Sequence, residues 1–286
     1  MHFTRRLIAL AFATSLLSAC FVNNLIYRHI DWIILFQLDK YFDLESSQEK
    51  FVEIAVKDTV SWFKRDRMAD VIELLGIELA AAKARRLDAD STDKWFKILD
   101  ENRRLIIART LPTMVQVGMT LSIDQIDHFA KLIDRGNRNL KLAAEAELKD
   151  FPSARDEFAE STFDRFEYLI GNLSDNQKDI IVRGMLWDQL GLQAEYQVRE
   201  NSRAYWIEAL KKHDQAFLEA AIKRANNLDG AVPTESYIFY RRRAENWKAV
   251  RSNLAITMSE KQWAHLEKTL SELLAELQRL GRIDQK

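Results

Sequence analysis

The chain has 286 residues, with 42 Lys+Arg against 43 Asp+Glu and a formal net charge of −1. That balance carries no basic footprint for nucleic acid. One cysteine rules out a disulfide framework, and 8 Gly with 3 Pro leave too little turn punctuation for a many-stranded β fold. Ala, Leu, Glu, Lys, Arg and Gln, all good helix formers, dominate what remains. The expected fold is all-α, a multi-helix bundle of about 8–10 helices.

The N-terminus reads as a cleaved leader over residues 1–19. Arg5 and Arg6 precede an apolar run that begins at Leu7 and closes in Leu17-Ser18-Ala19-Cys20. The run is short of the ~20 apolar residues a span requires. Small residues directly before the only cysteine resemble the lipobox of bacterial lipoprotein precursors. The resemblance implies a diacylglycerol on the Cys20 thiol and an acyl chain, such as palmitate, on its freed amine. Each buried methylene contributes ~0.8 kcal/mol and a single chain anchors only marginally, so several chains on one residue hold firmly. Phe21, where an Asp would signal retention at the inner membrane, favours the outer membrane, with the body facing the periplasm. No other cofactor is expected.

No polar tether follows the anchor. Asn23 or Asn24 can cap a helix within a few residues, which would hold the folded body, residues 20–286, close to the bilayer. Leu25–Leu38 is apolar but broken by Arg28, His29, Asp31 and Gln37, and reads as a helix buried in the bundle. Cys20, Tyr27, Asp31-Trp32, Leu38-Asp39, Tyr41, Leu44 and Gln48 together resemble the start of an uncharacterised family of Gram-negative lipoproteins. That resemblance implies a helical periplasmic protein with no assigned activity.

Val52, Val56, Val60 and Phe63 recur at helical spacing from about Glu45, and a second helix is expected over about 69–86. The polar stretch 88–93 reads as a break. A helix follows from Asp93, which Pro112 should kink or end. Ser122 opens the next, with Ile126, Phe129, Ala130 and Ile133 on one face. Pro152 starts another. Ser174 opens a long one, reaching about Lys212. Asp229-Gly230 marks a turn, and Thr234 and Ser259 begin the last two helices. Gly281 is placed to cap the final one. Whether the helices form one bundle or two lobes divided near Phe151 stays open.

One pattern recurs. Leu121-Ser122-x-x-Gln125, Leu173-Ser174-x-x-Gln177 and Met258-Ser259-x-x-Gln262 are capping boxes, and Leu44-Glu45-x-x-Gln48 is a weaker copy. The pattern is similar to the Leu-Thr-x-x-Gln motif of small periplasmic stress proteins, some of them chaperones, although Ser stands here for Thr. The irregular separation of the copies gives no repeat architecture by itself.

Sites for chemistry are sparse. There is no HExxH, no Gly-rich phosphate loop and no nucleophile elbow. Asp124, Asp127 and His128 share a helix face, but no metal site is assigned to them. Arg241-Arg242-Arg243 follows four residues rich in aromatics and is a candidate contact for an anionic surface. The expected role is non-catalytic: a structural or interaction protein of the envelope, held to the membrane by its anchor, with envelope proteins or peptidoglycan as candidate partners. A chaperone or stress sensor is the first alternative. An envelope hydrolase is the second, with no positive sign in the sequence.

Overall fold

The structure, a computed structural model, describes residues 29–87, 89–228 and 234–283. The leader, Leu17, Ser18, Ala19, the Cys20 anchor, Tyr27, Arg28, the Asp229-Gly230 turn and Pro233 lie outside the described residues. The described residues form eleven helices and no strand. They are α1 (Ile30–Phe42), α2 (Ser46–Asp66), α3 (Met68–Lys83), α4 (Ala89–Thr120), α5 (Ile123–Glu145) and α6 (Phe151–Ile170). Then come α7 (Asp175–Gly184), α8 (Gln189–Lys211), α9 (Gln215–Ala225), α10 (Glu235–Thr257) and α11 (Glu260–Ile283).

The all-α expectation holds; several local expectations do not. The stretch around 88–93 is already helix from Ala89 onward, and α4 runs through Pro112 to Thr120. Pro112 and Ala108, whose carbonyl loses its partner, are both exposed, so water can take the orphaned bond. The long helix expected from Ser174 is two. It breaks at Met185–Asp188, where Leu186 is left-handed (φ 55°) and Asp188 caps α8 by accepting from Gly191 N at 2.7 Å. The break swings Trp187, 1% exposed, onto Phe158. Helix α9 arises where no element was expected; Asp214 caps it by accepting from Phe217 N. Gly281 lies inside α11 and does not end it. Helix α1 is peripheral and not buried on most sides: Ile34 is buried, while Trp32 and Phe36 are 62% and 52% exposed.

The packing follows one plan used twice. Helix α2 packs on α4 as α7 packs on α10, and α1 packs on α5 as α6 packs on α11. The helix after each first pair crosses over. From the first half, α3 lies along α11; from the second, α8 lies along α5. These exchanged contacts are the most extensive in the fold, so the halves interlock. Apolar cores follow the exchange, not chain order. One cluster runs from Ala82 through Phe158, Trp187 and Val250 to Leu270, and another joins Ile107, Ile126, Leu210 and Leu218.

Two glycines report on this packing. Gly184 faces Val250 so closely that a Cβ would lie 2.3 Å from Val250 Cγ2, whereas a Cβ on Gly76 in α3 would meet nothing within 4 Å. Gly76→Ala should therefore raise stability by about 1 kcal/mol. Gly184→Ala should lower it by about 1–3 kcal/mol through overpacking. Denaturant melts of the two variants check both signs.

Candidate functional site: paired helix starts and an apolar cleft

The four glutamine-bearing helix starts meet in two pairs. Gln48 and Gln125, 77 residues apart, exchange amide bonds: Gln48 Nε2 donates to Gln125 Oε1 (3.3 Å) and Gln125 Nε2 to Gln48 Oε1 (2.8 Å). Gln177 and Gln262, 85 residues apart, do the same at 3.1 and 2.9 Å. Each Nε2 also reaches the carbonyl two residues before its partner's cap. Gln48 donates to Thr120 O, Gln125 to Asp43 O, Gln177 to Thr257 O and Gln262 to Asn172 O. Every Oε1 also accepts from its own cap amide, at Glu45, Ser122, Ser174 or Ser259. The spacing that looked irregular along the chain is thus two copies of one junction.

Histidines repeat with the junctions. His128 Nε2 lies 3.0 Å from Lys40 O, and His265 Nε2 lies 3.1 Å from Tyr168 O. Asp127 pairs with Lys211 at 2.9 Å. Asp127 and His128 are thus engaged with other elements while Asp124 is exposed, and among the described residues no group of three His, Cys, Asp or Glu could hold a metal.

The arginine run divides. Arg241 and Arg242 are exposed, whereas Arg243 turns inward, 2.6 Å from Glu195 Oε1 and over the Trp187 ring. Glu195, 1% exposed, also accepts from Arg199, which reaches Asn137 Oδ1 at 3.3 Å. Burial pushes the Glu195 carboxyl up, but the two guanidinium groups outweigh it and hold it below the ordinary glutamate value. This node ties α10 to α8, and through Asn137 to α5. Sequence reasoning missed it because Glu195 stands in a helix of ordinary composition.

A cleft of about 1110 Å³ runs along α4. Its walls are apolar side chains such as Leu38, Phe42, Val52, Val56, Met114, Val117, Trp206, Leu210, Leu218 and Tyr237. The register of the two junctions explains its position. Ala55 and Thr113, which line the cleft, stand seven residues from Gln48 and Thr120. Their counterparts in the second half, seven from Gln177 and Thr257, are Gly184 and Val250. There the helices touch and Val250 is fully buried. At this register the helices touch in one half, and in the other the two positions line the cleft, although α2 and α4 meet again one turn on, where Arg109 pairs with Asp58 at 2.6 Å.

No protein-family model matches the chain, and neither a curated protein nor a solved structure is similar to it. Among the described residues no single helix is long and apolar enough to cross a membrane; α4 and α5 reach that length and apolarity only together, across a bend of 114°.

Two predictions follow from the buried polar groups. Gln125→Ala removes both amide bonds to Gln48 together with the bonds to Asp43 O and from Ser122 N, and should cost about 1–3 kcal/mol; a double-mutant cycle with Gln48→Ala should show that the two losses are not additive. The depressed value of Glu195 places its stabilising contribution above the unfolded-state value, about 4.3, and that contribution fades as pH falls toward the folded value. Glu195→Gln should lower stability at neutral pH by about 3–5 kcal/mol, because two arginines lose their buried counter-charge. It should also flatten the acid limb of the stability profile, measured by urea melts at a series of pH values.

Proposed function

We propose that this chain is a lipid-anchored, periplasm-facing envelope protein that works by binding and not by catalysis, and that the cleft along α4 is where it binds. The observation that carries this reading is the asymmetry between the halves. Packing two helices shut is the cheaper arrangement, since an unfilled apolar trough forfeits dispersion contacts along its length. The second half adopts it; the first half, with the same plan, keeps the trough open. A volume of about 1110 Å³ lies just above the range of about 300–1,000 Å³ typical of small-ligand sites. The anchor at Cys20 and the outer-membrane location rest on Leu17-Ser18-Ala19-Cys20 and Phe21 alone. The chaperone reading draws on the same cleft and on the Ser-x-x-Gln starts, with a polypeptide as the guest.

The uncharged dye N-phenylnaphthylamine tests the binding reading. It should show a saturable, single-site rise in fluorescence with the protein. Thr113→Trp and Ala55→Trp, which fill the cleft from opposite walls, should each abolish the rise while leaving the helical circular dichroism intact. A rise that persists unchanged in both variants would sink the proposal.

A further inference from the structure

The cleft is polarised from end to end. Where α4 runs from Ile106 to Thr120, the opposite walls are Leu38 and Phe42 of α1, Val52 and Val56 of α2 and Leu218 of α9, with no charged side chain among the lining residues. Toward the start of α4 the lining turns cationic: Lys97 and Arg104 of α4, Arg224 of α9, Arg241 of α10. All four are exposed, and none has an acidic partner among the described residues. Four acids line the same end: Asp100 pairs with Arg103, Asp93 and Glu245 share Lys248, and Glu235 accepts from the neutral amide of Asn201. With Arg103 and Lys248 counted, six cations face these four acids, so the mouth carries a net positive charge beside an apolar trough.

From this polarity we infer that the guest of the cleft is an anionic acyl lipid, its chain along the α4 trough and its head group between Arg104 and Arg241. The inference deepens the binding reading and rests on it. The lengths agree. The apolar stretch of α4 is about 20 Å long, and the chains of one bilayer leaflet, half of a hydrocarbon core of about 30 Å, are about 15 Å. The chemistry agrees as well. An extended polypeptide brings an amide at every residue that needs a partner, and on these walls the trough offers three threonine hydroxyls, of Thr59, Thr110 and Thr113, that of Thr110 already bonded to Ile106 O at 2.9 Å. An acyl chain asks for none. A guanidinium pair, in turn, matches a carboxylate or phosphate head by charge-assisted hydrogen bonds.

The test displaces N-phenylnaphthylamine from the full chain carrying Cys20→Ser, so that no covalent acyl chain competes. Palmitate should displace the dye at lower concentration than hexadecanol, which has the same chain and no charge. In Arg104→Glu/Arg241→Glu, both sites exposed, palmitate should weaken by about tenfold or more and hexadecanol should not change. Equal displacement by palmitate and hexadecanol, or a double variant that binds palmitate as the parent does, overturns the anionic head group. Displacement by an amphipathic helical peptide and by neither acyl ligand overturns the acyl guest while leaving the cleft as a binding site. Absence of any dye binding overturns the cleft reading and this one with it.

Discussion

The fold hangs on a reciprocal amide exchange between helix starts. A glutamine at the third position of a helix ordinarily reaches back to its own cap and stops there. Here the same side chain has a second partner, the glutamine of another helix start, and a third, the carbonyl at the end of the helix before that partner. Helix ends leave backbone groups unsatisfied, and a buried unsatisfied group is expensive. Two helix starts and the two preceding helix ends therefore solve one another's problem only in a single mutual arrangement. The junction built by Gln48 and Gln125, and again by Gln177 and Gln262, fixes where α2 meets α5 and where α7 meets α11. The exchange of α3 and α8 between the halves then locks the two junctions into one body.

The two halves share a packing plan but differ one step beyond the junction. There, seven residues on from the paired glutamines, the helices meet in the second half and line the cleft in the first. Gly184 lets α7 touch α10 through Val250. In the first half, Ala55 and Thr113 line the cleft at the matching positions, and α4 continues far beyond them, through Pro112 and back to Ala89. The apolar surface left between the elements is what a guest would cover. Lys97 and Arg104 on the first half of α4 and Arg241 near the start of α10 make that surface asymmetric in charge.

Burial and pairing also sort the charged groups into two kinds. Arg243 and Arg199, both half-buried, hold α8 against α10 through Glu195, which is out of reach of solvent and whose charge is tolerated there only because it has partners. Arg241, two residues before Arg243, sits on the rim with no such constraint. Adjacent members of one basic run therefore do different work. The helix turns about 100° per residue, and that rotation sends one side chain inward and leaves the others out.

Much of this was legible in the chain itself. Helical composition, apolar spacing and the Ser-x-x-Gln boxes announced an all-α protein and placed the starts of α5, α7, α10 and α11 correctly, because caps and periodicity are local. Where a distant residue overrode the local signal, the reading failed. Trp187 breaks the helix expected from Ser174 because Phe158 supplies its burial, and α4 passes Pro112 because the exposed side of the helix can leave a carbonyl to water. The pairing of the four glutamines, the exchange of α3 and α8, the inward turn of Arg243 and the opening of the cleft depend on residues tens of positions apart meeting in space. Local sequence states which groups need partners; only the folded packing assigns the partners, since that choice depends on which helices the buried surface brings together.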